Sequence, residues 1–551
     1  MEKLLLSGNE AVALGAFEAG VKVGTGYPGT PSTEILENLT RYPGVYTEWS
    51  VNEKVALEVA IGAALSGVRS LVTMKHVGLN VAADPLFTAS YIGVKAGLVI
   101  VSADDPDMHS SQNEQDNRNY AAAAKVPMLE PSDSQEVKDF TRLAFDLSER
   151  YDTPVLLRST TRISHSKSVV IPGKAYRGRE AVGNFQRNIQ KYVMIPSYAR
   201  MRHVEVERRM ERVTQDADEL DINRVELRDR VLGFVTAGVC YTYVREAFPE
   251  ASVLKLGMVY PLPEKVIGEF FQKVEKVYVV EELDPFLEFR IKAMGLTVEG
   301  KRYFPITGEL SPDRIRRPLG AVQSQGRMMS EFPLPPRPPQ LCPGCPHRTV
   351  FQTLSKLGHT VTGDIGCYTL GALPPFTSID TCVDMGASIT IAQGIEIATG
   401  IEIATGVEIA TGIEIAEGVK KPIAVLGDST FTHAGLPGLL NAAYNGRNSL
   451  IIVLDNGTTA MTGMQPNPLS GERINGQPAV RLDYVKLGEA VGIERENVRI
   501  VDAYKPKEIE KAITELIAQN TLSLLVVQGL CVILRRRRQR KEKANSEKIG
   551  I

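Results

Sequence analysis

The chain has 551 residues, of which 43% are hydrophobic and 23% charged, and its formal net charge at pH 7 is −2. This is the composition of a globular protein whose length suggests about three domains, and its near-neutral net charge gives no general indication of binding to nucleic acids or membranes. The amino terminus turns polar after three leucines, and no apolar run is long enough to cross a bilayer. We therefore expect a cytosolic protein with no signal peptide and no membrane span.

Short β-type runs alternate with Ala- and Gly-rich helical stretches over roughly the first third of the chain. The segment GVKVGTGYPGTPSTEILENL predicts strand, loop and helix, with Thr30 as the N-cap and Pro31 at the first helical position. GLVIVSADDP and TPVLLRST predict buried strands that end in polar loops. Residues 200–230 are densely charged and predict a solvated connecting helix.

A second, smaller α/β region contains VLGFVTAGVCYTYVREAFP, ASVLKLGMVYPLP and KVYVVEE, and the Pro-rich segment at 331–340 is typical of a linker. A third α/β region runs to about residue 534. The basic end, residues 535–551, predicts a disordered, solvated tail more readily than a nucleic-acid-binding arm. Because strands and helices alternate throughout, we predict an α/β fold of several doubly wound parallel-sheet domains, with ligands at the carboxyl ends of strands.

One hexapeptide is written four times over residues 394–418, as GIEIATGIEIATGVEIATGIEIAEG. A β-helix needs more copies than this, and a helix would turn the repeated glutamates to different faces. The near-identity of the copies indicates a tandem duplication. We expect an insertion that bulges near the surface, or extends the preceding helix, and takes no part in a binding site.

Two polar turns follow neighbouring predicted strands in the third region. Asp428 comes directly after PIAVL, and Asn456 comes after SLIIVL, with a helix between the two strands. A right-handed βαβ connection places both residues at the same edge of a parallel sheet. Their oxygens, with the backbone carbonyls of Gly457 and Thr458, suit Mg²⁺ bound to a diphosphate. The simpler alternative for each residue alone is a helix cap or a turn.

The GDS and DN segments at these turns resemble the thiamine diphosphate motif of thiamine-dependent enzymes. GDSTFTHAGL, DNGTTAMTGMQPNP, GYPGTPSTE, CPGCPHR and DIGCYTLG resemble the alpha subunits of indolepyruvate ferredoxin oxidoreductases, from Met1 to about Leu534. The resemblance implies that Mg²⁺ and the diphosphate are held by Asp428, Asn456 and the backbone of Thr458. The implied cofactor-binding set is Gly427, Asp428, Ser429, Asn456 and Thr458.

The resemblance also implies a division of the chain. Its parts are a pyrimidine-binding thiamine domain (1–195), a charged linker (196–227), a transketolase C-terminal-like α/β domain (228–330), the Pro-rich linker (331–340), a diphosphate-binding thiamine domain with the repeat inserted (341–534) and the basic tail (535–551). Because the pyrimidine and diphosphate sides belong to separate domains, we expect each cofactor to lie at an interface between domains, across a dimer.

Catalytic roles follow from the same resemblance. Glu53, in the first turn of a predicted helix, would contact N1′ of the aminopyrimidine and relay a proton; complementing the helix dipole is the alternative role. Thr30 and Ser32 offer hydroxyls for a keto-acid carboxylate, although capping explains Thr30 equally simply. Among three histidines considered, only His433 is assigned to the site. The two expected to be structural are His76 and His347.

Six cysteines in a chain of this length do not form a disulfide framework. Related 2-oxoacid ferredoxin oxidoreductases bind a proximal [4Fe–4S] cluster through a CxxC pair, a third cysteine and a distant fourth, and four thiolates are what such a cluster requires. The cysteines in that order here are Cys342, Cys345, Cys367 and Cys531. Zinc on the same four sulfurs is the alternative. The other two, expected to be small buried side chains, are Cys240 and Cys382.

The implied reaction is oxidative decarboxylation of indole-3-pyruvate or another arylpyruvate with CoA, giving acyl-CoA, CO₂ and reduced ferredoxin. A separate beta subunit is implied, in a heterodimer or heterotetramer, and no nucleic-acid or membrane partner is expected. No cysteine follows Cys531, so electrons must leave to an external ferredoxin or another subunit unless the chain is truncated. The alternatives are a non-oxidative thiamine-dependent decarboxylase or synthase, and an inactive subunit.

Overall fold

A computed structural model places the chain in two compact units, Met1–Glu331 and Phe332–Ile551. Most of the predicted Pro-rich linker and the later copies of the repeat lie outside the residues that the structure describes. The described residues are 3–174, 183–321, 339–404, 421–519 and 521–549. Within these ranges no helix is both long and apolar enough to serve as a membrane span.

Strands and helices alternate in the first unit, as predicted. Its strands are β1 (Leu4–Ser7), β2 (Val23–Gly26), β3 (Tyr46–Trp49), β4 (Ser70–Lys75), β5 (Leu98–Asp104), β6 (Met128–Leu129), β7 (Val155–Thr160), β8 (Lys167–Val170), β9 (Arg224–Glu226), β10 (Asp229–Ala237), β11 (Ala251–Leu256), β12 (Met258–Tyr260) and β13 (Lys276–Val280). Its helices are α1 (Gly8–Glu18), α2 (Thr33–Leu39), α3 (Glu53–Leu65), α4 (His76–Val81), α5 (Ala83–Ile92), α6 (Arg118–Ala124), α7 (Ser134–Tyr151), α8 (Thr161–His165), α9 (Ile189–Tyr192), α10 (Pro196–Ala217), α11 (Gly238–Ala247), α12 (Glu264–Phe271), α13 (Phe286–Ala293) and α14 (Pro312–Arg316).

The main sheet of the first unit has the order β12-β6-β7-β5-β4-β2-β3. Its pairs are parallel except β12 with β6. Strands β5 and β7 are buried at every position, as expected for parallel strands covered on both faces. A second sheet has the order β13-β10-β11-β9, and β1 pairs with β8. Strand β12 follows β11 in the chain yet pairs with β6, so it joins the second predicted α/β region to the first sheet.

A buried ion-pair network also joins these two regions. Arg118, on α6, donates to Glu281 beyond β13 at 2.7 Å. Arg158, on β7, donates to Asp104 at 2.8 Å and to Glu130 at 2.6 Å. All five side chains are buried, and removing one partner of such a pair leaves an uncompensated charge in the interior. The Arg118–Glu281 pair therefore ties α6 of the first region to the end of β13 in the second.

Helix α10 corrects the prediction of a solvated connecting helix. Val206, Met210 and Val213 form an apolar stripe at helical spacing and are buried. Arg209 is only 2% exposed and donates to the backbone oxygen of Ser90 at 2.5 Å. The stripe was not recognised from the sequence because the segment is densely charged. It packs α10 against the helices that cover the first sheet.

The second unit contains one six-stranded sheet, and every pair in it is parallel, which confirms the predicted fold class. The sheet order is β15-β14-β16-β17-β19-β18. Its strands are β14 (Val361–Gly363), β15 (Thr381–Cys382), β16 (Ile423–Gly427), β17 (Leu450–Asp455), β18 (Val498–Asp502) and β19 (Ser523–Gln528). Its helices are α15 (His347–Leu357), α16 (Ala387–Ala404), α17 (Asp428–Thr430), α18 (Leu436–Tyr444), α19 (Tyr484–Ala490), α20 (Pro506–Ile517) and α21 (Val532–Ile549).

Two local predictions fail in this unit. The basic end, expected to be disordered, forms helix α21 up to Ile549. Cys382, expected to be buried, is exposed at the end of the two-residue edge strand β15, whereas Cys240 is buried as predicted. Both failures arise because a short edge strand and a charged helix leave few apolar signals in the sequence.

The first copy of the repeat, at the middle of helix α16, makes buried hydrogen bonds to the segment before β17. Helix α16 extends to Ala404 and so includes this copy, while residues 405–420 lie outside the described residues. Glu396 is buried, and its carboxylate accepts hydrogen bonds from the Asn448 backbone N–H at 2.9 Å and the Ser449 hydroxyl at 2.7 Å. One copy therefore closes the loop that leads into β17.

We expect a chain lacking residues 400–417 to melt like the full chain and to bind thiamine diphosphate equally well, because it keeps Glu396 and one copy. Glu396→Ala is the control: it leaves the buried Asn448 N–H without its acceptor and should cost about 1–3 kcal/mol. Thermal unfolding and calorimetric titration measure both outcomes. A shortened protein that folds but no longer binds the cofactor would show that the repeat belongs to the site.

Candidate cofactor site

The predicted βαβ unit is present at the carboxyl edge of the second unit's sheet. Strands β16 and β17 are adjacent and parallel, and Gly427 pairs with Leu454, so Asp428 and Asn456 follow neighbouring strands at one edge. A Cβ atom at Gly427 would lie 2.5 Å from the ring of Tyr368, so this position requires glycine. The backbone can approach a ligand closely here.

Asp428 is a buried carboxylate. Its Oδ1 accepts from the Ser429 backbone N–H at 2.9 Å and its Oδ2 from the Asn467 amide at 3.3 Å. Burial and, to a smaller extent, the nearby carboxylate of Asp455 together raise the pKa of Asp428 to about 7. Two neighbouring buried carboxylates favour either a retained proton or a bound cation.

Asn456 is held in one orientation by two hydrogen bonds. Its Nδ2 donates to Nε2 of His347 at 3.2 Å, and its Oδ1 accepts from the Thr458 backbone N–H at 3.1 Å. Burial lowers the pKa of His347 to about 4, so the ring is neutral and can accept. His347 was expected to be structural; it contacts one of the predicted magnesium ligands directly.

The loop after β17 is cross-linked to the loop after β16. The Thr459 hydroxyl donates to the Ser429 hydroxyl at 2.9 Å, and the Thr458 hydroxyl donates to the Gln465 carbonyl at 3.0 Å. Gly457 has φ +73°, a conformation that favours glycine. The cofactor-binding residues predicted in this unit therefore lie in two loops that touch each other.

His433 lies in a π-helical turn, Phe431–Gly435, between α17 and α18. It is buried, on the same helical run that starts at Asp428. Such π-turns occur mostly inside α-helices and frequently at functional sites. The predicted catalytic role of His433 stays a prediction.

Sequence reasoning did not find several side chains that hold this edge together. The Tyr368 hydroxyl is 2.6 Å from that of Thr430 and donates to the Ile365 carbonyl at 2.7 Å. Asp364, directly after β14, accepts from the backbone N–H and hydroxyl of Ser388, at 2.8 and 2.7 Å, near the start of α16. The signal available in the sequence for Asp364 was its place directly after a buried strand, as the first residue of DIGCYTLG.

Three separate segments bring four thiols near one another. Burial, with smaller contributions from the thiols of Cys342 and Cys531, raises the pKa of Cys345 to about 11. Burial and the smaller effects of the other three thiols together raise the pKa of Cys367 to about 12. The predicted four-cysteine set is thus within electrostatic range, although no three His, Cys, Asp or Glu side chains are arranged to hold a metal ion among the described residues.

Glu53 lies at the carboxyl edge of the first unit's main sheet, as the first residue of α3. The N-cap is Asn52, whose side chain accepts from the Val55 backbone N–H at 2.9 Å. Glu53 is buried, and a Cβ atom at Gly78 would lie 2.7 Å from its Oε1. Helix α4 therefore packs against this carboxylate through a glycine.

Lys75, at the end of β4, was not recognised from the sequence. Burial lowers the pKa of Lys75 to about 8, while the carboxylates of Asp105 and Glu53 act in the opposite direction. Its Nζ donates to the Ser110 carbonyl at 2.9 Å. His76 follows in the chain and is fully buried, with Nε2 3.1 Å from the Asn113 carbonyl, which agrees with its expected structural role.

The predicted cap at Thr30 is wrong. Helix α2 begins at Thr33 with Ser32 at the N-cap position, and no side chain caps it. Ser32 is buried and its hydroxyl donates to the Gly29 carbonyl at 2.8 Å, while the Thr30 carbonyl accepts from the Ser110 hydroxyl at 3.2 Å. The tight GYPGTPS loop delays the helix by two residues, because the predicted first helical residue is Pro31 and the observed one is Thr33.

Two family models match the chain. The thiamine diphosphate-binding family of pyruvate flavodoxin/ferredoxin oxidoreductases matches residues 14–225. The C-terminal TPP-binding domain of thiamine pyrophosphate enzymes matches residues 364–527, which include the loops of Asp428 and Asn456. Both family models confirm the prediction of a thiamine diphosphate-binding protein.

Relatives over nearly the whole chain decide the family. Indolepyruvate oxidoreductase subunit IorA of Archaeoglobus fulgidus is 40% identical over 98% of this chain and 88% of its own length. The subunit of the same name in Pyrococcus abyssi is 41% identical over 97% and 86%. The chain belongs to the IorA family.

IorA membership confirms the resemblance seen in the GDS, DN and CPGCPHR segments. The 2-oxoglutarate synthase subunit KorA of Methanothermobacter thermautotrophicus is 33% identical to this IorA-family chain over 31% of it and 49% of the KorA chain. The solved structure of 2-oxoglutarate:ferredoxin oxidoreductase from Magnetococcus marinus is 17% identical, with a TM-score of 0.48 over 58% of this chain and 65% of that one.

Proposed function

We propose that this IorA-family chain is the thiamine diphosphate-bearing subunit of an arylpyruvate:ferredoxin oxidoreductase. The reaction is oxidative decarboxylation of indole-3-pyruvate with CoA, giving acyl-CoA and CO₂ and passing electrons to ferredoxin. The observation that carries the proposal is the Asp428–Asn456 edge of a parallel sheet, inside a chain 40% identical to indolepyruvate oxidoreductase subunits. Bound thiamine diphosphate would supply the carbon nucleophile that attacks 2-oxo acids.

The second unit's residues fit a cation and a diphosphate. Asp428, Asn456 and the backbone of Thr458 would supply the hard oxygen ligands that Mg²⁺ prefers, and a bound cation would offset the burial that raises the pKa of Asp428. Gly427 and Ser429 let the backbone approach the phosphates. These residues bind and orient the cofactor.

The first unit's residues act on protons and substrate. Glu53 would accept a hydrogen bond at N1′ of the aminopyrimidine, and its burial supports such a role because the carboxylate is shielded from water. Thr30 would contact the keto-acid carboxylate from the GYPGTPS loop. In the second unit, His433 is the residue to which we assign a catalytic role.

The four thiols fit an iron–sulfur cluster by donor chemistry. Cys342, Cys345, Cys367 and Cys531 lie within electrostatic range of one another, and four thiolates suit a [4Fe–4S] cluster. Zinc on the same sulfurs remains the competing occupant. The relatives are named as subunits, and we propose that a beta subunit and ferredoxin are the partners of this chain.

One assay tests the proposed function. The protein, purified without oxygen and combined with its beta subunit, is incubated with thiamine diphosphate, Mg²⁺, CoA, a viologen dye and a series of 2-oxo acids. We expect dye reduction, fastest with indole-3-pyruvate. CO₂ release without dye reduction would indicate a non-oxidative decarboxylase, and no reaction with any acid would indicate an inactive subunit.

Cys531→Ala should lose most of its iron and its dye reduction, although Cys531 lies far along the chain from the CxxC pair. The backbone N–H of residue 531, which donates to the Asn456 carbonyl at 3.1 Å, survives this change. Cys382→Ala is the matched control, because that thiol is exposed and outside the set. Elemental analysis measures the outcome, and zinc in place of iron in the wild type would favour the structural metal.

A further inference from the structure

His347 lies between two parts of the second unit to which the proposed function gives separate tasks. It is the first residue of α15, two residues after Cys345, and only 3% exposed. Its backbone N–H hydrogen-bonds the Cys345 sulfur. Its ring Nε2 lies 3.2 Å from the Asn456 amide nitrogen. One residue therefore contacts both a thiol and a predicted magnesium ligand.

Backbone hydrogen bonds also join the segment that bears Cys531 to the segment that carries Asn456. The Cys531 backbone N–H donates to the Asn456 carbonyl at 3.1 Å, and the Gly529 N–H donates to the Asp455 carbonyl at 2.9 Å. The CxxC loop reaches this segment as well, since a Cβ atom at Gly344 would lie 3.7 Å from Val532. The segment that bears Cys531 is thus hydrogen-bonded to the backbone that carries Asn456.

The orientation of the Asn456 amide decides what it can bind. An amide presents an oxygen acceptor on one side and an NH₂ donor on the other. Because Nδ2 donates to the His347 ring, Oδ1 is turned toward the Thr458 N–H and keeps a second lone pair for a cation. Without an acceptor at residue 347, only the Thr458 N–H would hold the amide, and its orientation would be less firmly fixed.

We propose that His347 is a positioning residue that fixes the Asn456 amide for the cation and couples it to the thiols, so that filling the thiol set tightens binding of Mg²⁺–thiamine diphosphate. The coupling is reciprocal: if filling the thiol set tightens cofactor binding by some factor, cofactor binding tightens filling of the thiol set by the same factor. Partners of this kind behind a metal ligand typically contribute about 10–100-fold to metal affinity. The inference rests on the proposed function.

The test compares His347→Phe, which keeps a ring but has no acceptor, with His347→Gln, whose side-chain oxygen can still accept from Asn456. His359→Phe is the matched control, since this half-buried histidine of the same unit has its ring Nδ1 3.3 Å from the Lys421 carbonyl, away from the site. Calorimetry measures thiamine diphosphate affinity with Mg²⁺, on protein loaded anaerobically with iron and sulfide and on protein stripped by a chelator.

We expect His347→Phe to weaken cofactor binding about 10-fold or more, His347→Gln to restore part of it, and His359→Phe to match the wild type. Stripping should weaken binding in the wild type and change it less in His347→Phe. Wild-type affinity in a His347→Phe protein that melts normally would overturn the inference, and so would equal losses in the Phe and Gln variants. A wild type that binds no thiamine diphosphate would overturn the proposed function first, and this inference with it.

Discussion

The Asp428→Asn protein should lose thiamine diphosphate binding, by more than about 100-fold in affinity, and yet be more stable than the wild type when both are empty at pH 8. The amide has the shape of the carboxylate but would not neutralise a bound Mg²⁺. It also removes a buried charge whose pKa is raised to about 7 by burial and by Asp455. Calorimetry and thermal unfolding measure the two effects.

The pH dependence of the stability gain has a definite sign. A carboxyl whose pKa is raised by folding carries no penalty below its unfolded pKa, near 4, and the full penalty above pH 7. The stability gained by Asp428→Asn should therefore be largest above pH 7 and vanish near pH 4. Each kcal/mol of this gain should raise the melting temperature by about 2–4 °C. Asp502→Asn is the control, since that carboxylate is exposed at the end of β18. A constant difference at all pH values would contradict the explanation.

Glu53→Gln should bind the cofactor with nearly unchanged affinity but lose turnover by about 10²–10⁴-fold, the usual contribution of a proton-transfer group. The amide keeps the size of the side chain and its packing against Gly78 while removing the proton-accepting carboxylate. The direct measurement is exchange of the cofactor's C2 proton with deuterated solvent, followed by NMR.

Glu58→Gln serves as the matched control, because Glu58 is exposed on the same helix and pairs only with Lys54 in the described structure. It should exchange the C2 proton at the wild-type rate. If Glu53→Gln exchanged this proton as fast as the wild type, the proton-relay role of Glu53 would be contradicted. Complementing the dipole of helix α3 would then be its remaining role.

The architecture was predictable because parallel strands buried on both faces leave continuous apolar runs, as β5, β16 and β17 do. The edge with Asp428 and Asn456 was predictable for the same reason: each residue follows such a run, and parallel strands end on one side. Element boundaries were less predictable. Helix α2 starts at Thr33 because the preceding loop is fixed by long-range contacts such as that between Ser110 and Thr30.

The supporting side chains of the site were not predictable, because their partners are distant in the chain. His347 and Asn456 are 109 residues apart, and Asn467 and Asp428 are 39 apart. Neither spacing leaves a periodic signal. The proximity of the four thiols was implied only by family resemblance, since CxxC alone does not indicate where a third or fourth cysteine will lie.

In the first unit, strand β12 from the second α/β region pairs with β6 of the first sheet. This pairing limits where this chain can recombine with its relatives. A crossover near residue 227 would pair β6 from one parent with β12 from the other, and Arg118 from one with Glu281 from the other. A mismatch at either place leaves a buried charge or an open sheet edge inside the protein. The two regions should therefore be inherited together, and viable chimaeras should have their crossovers beyond residue 321 rather than between the two sheets.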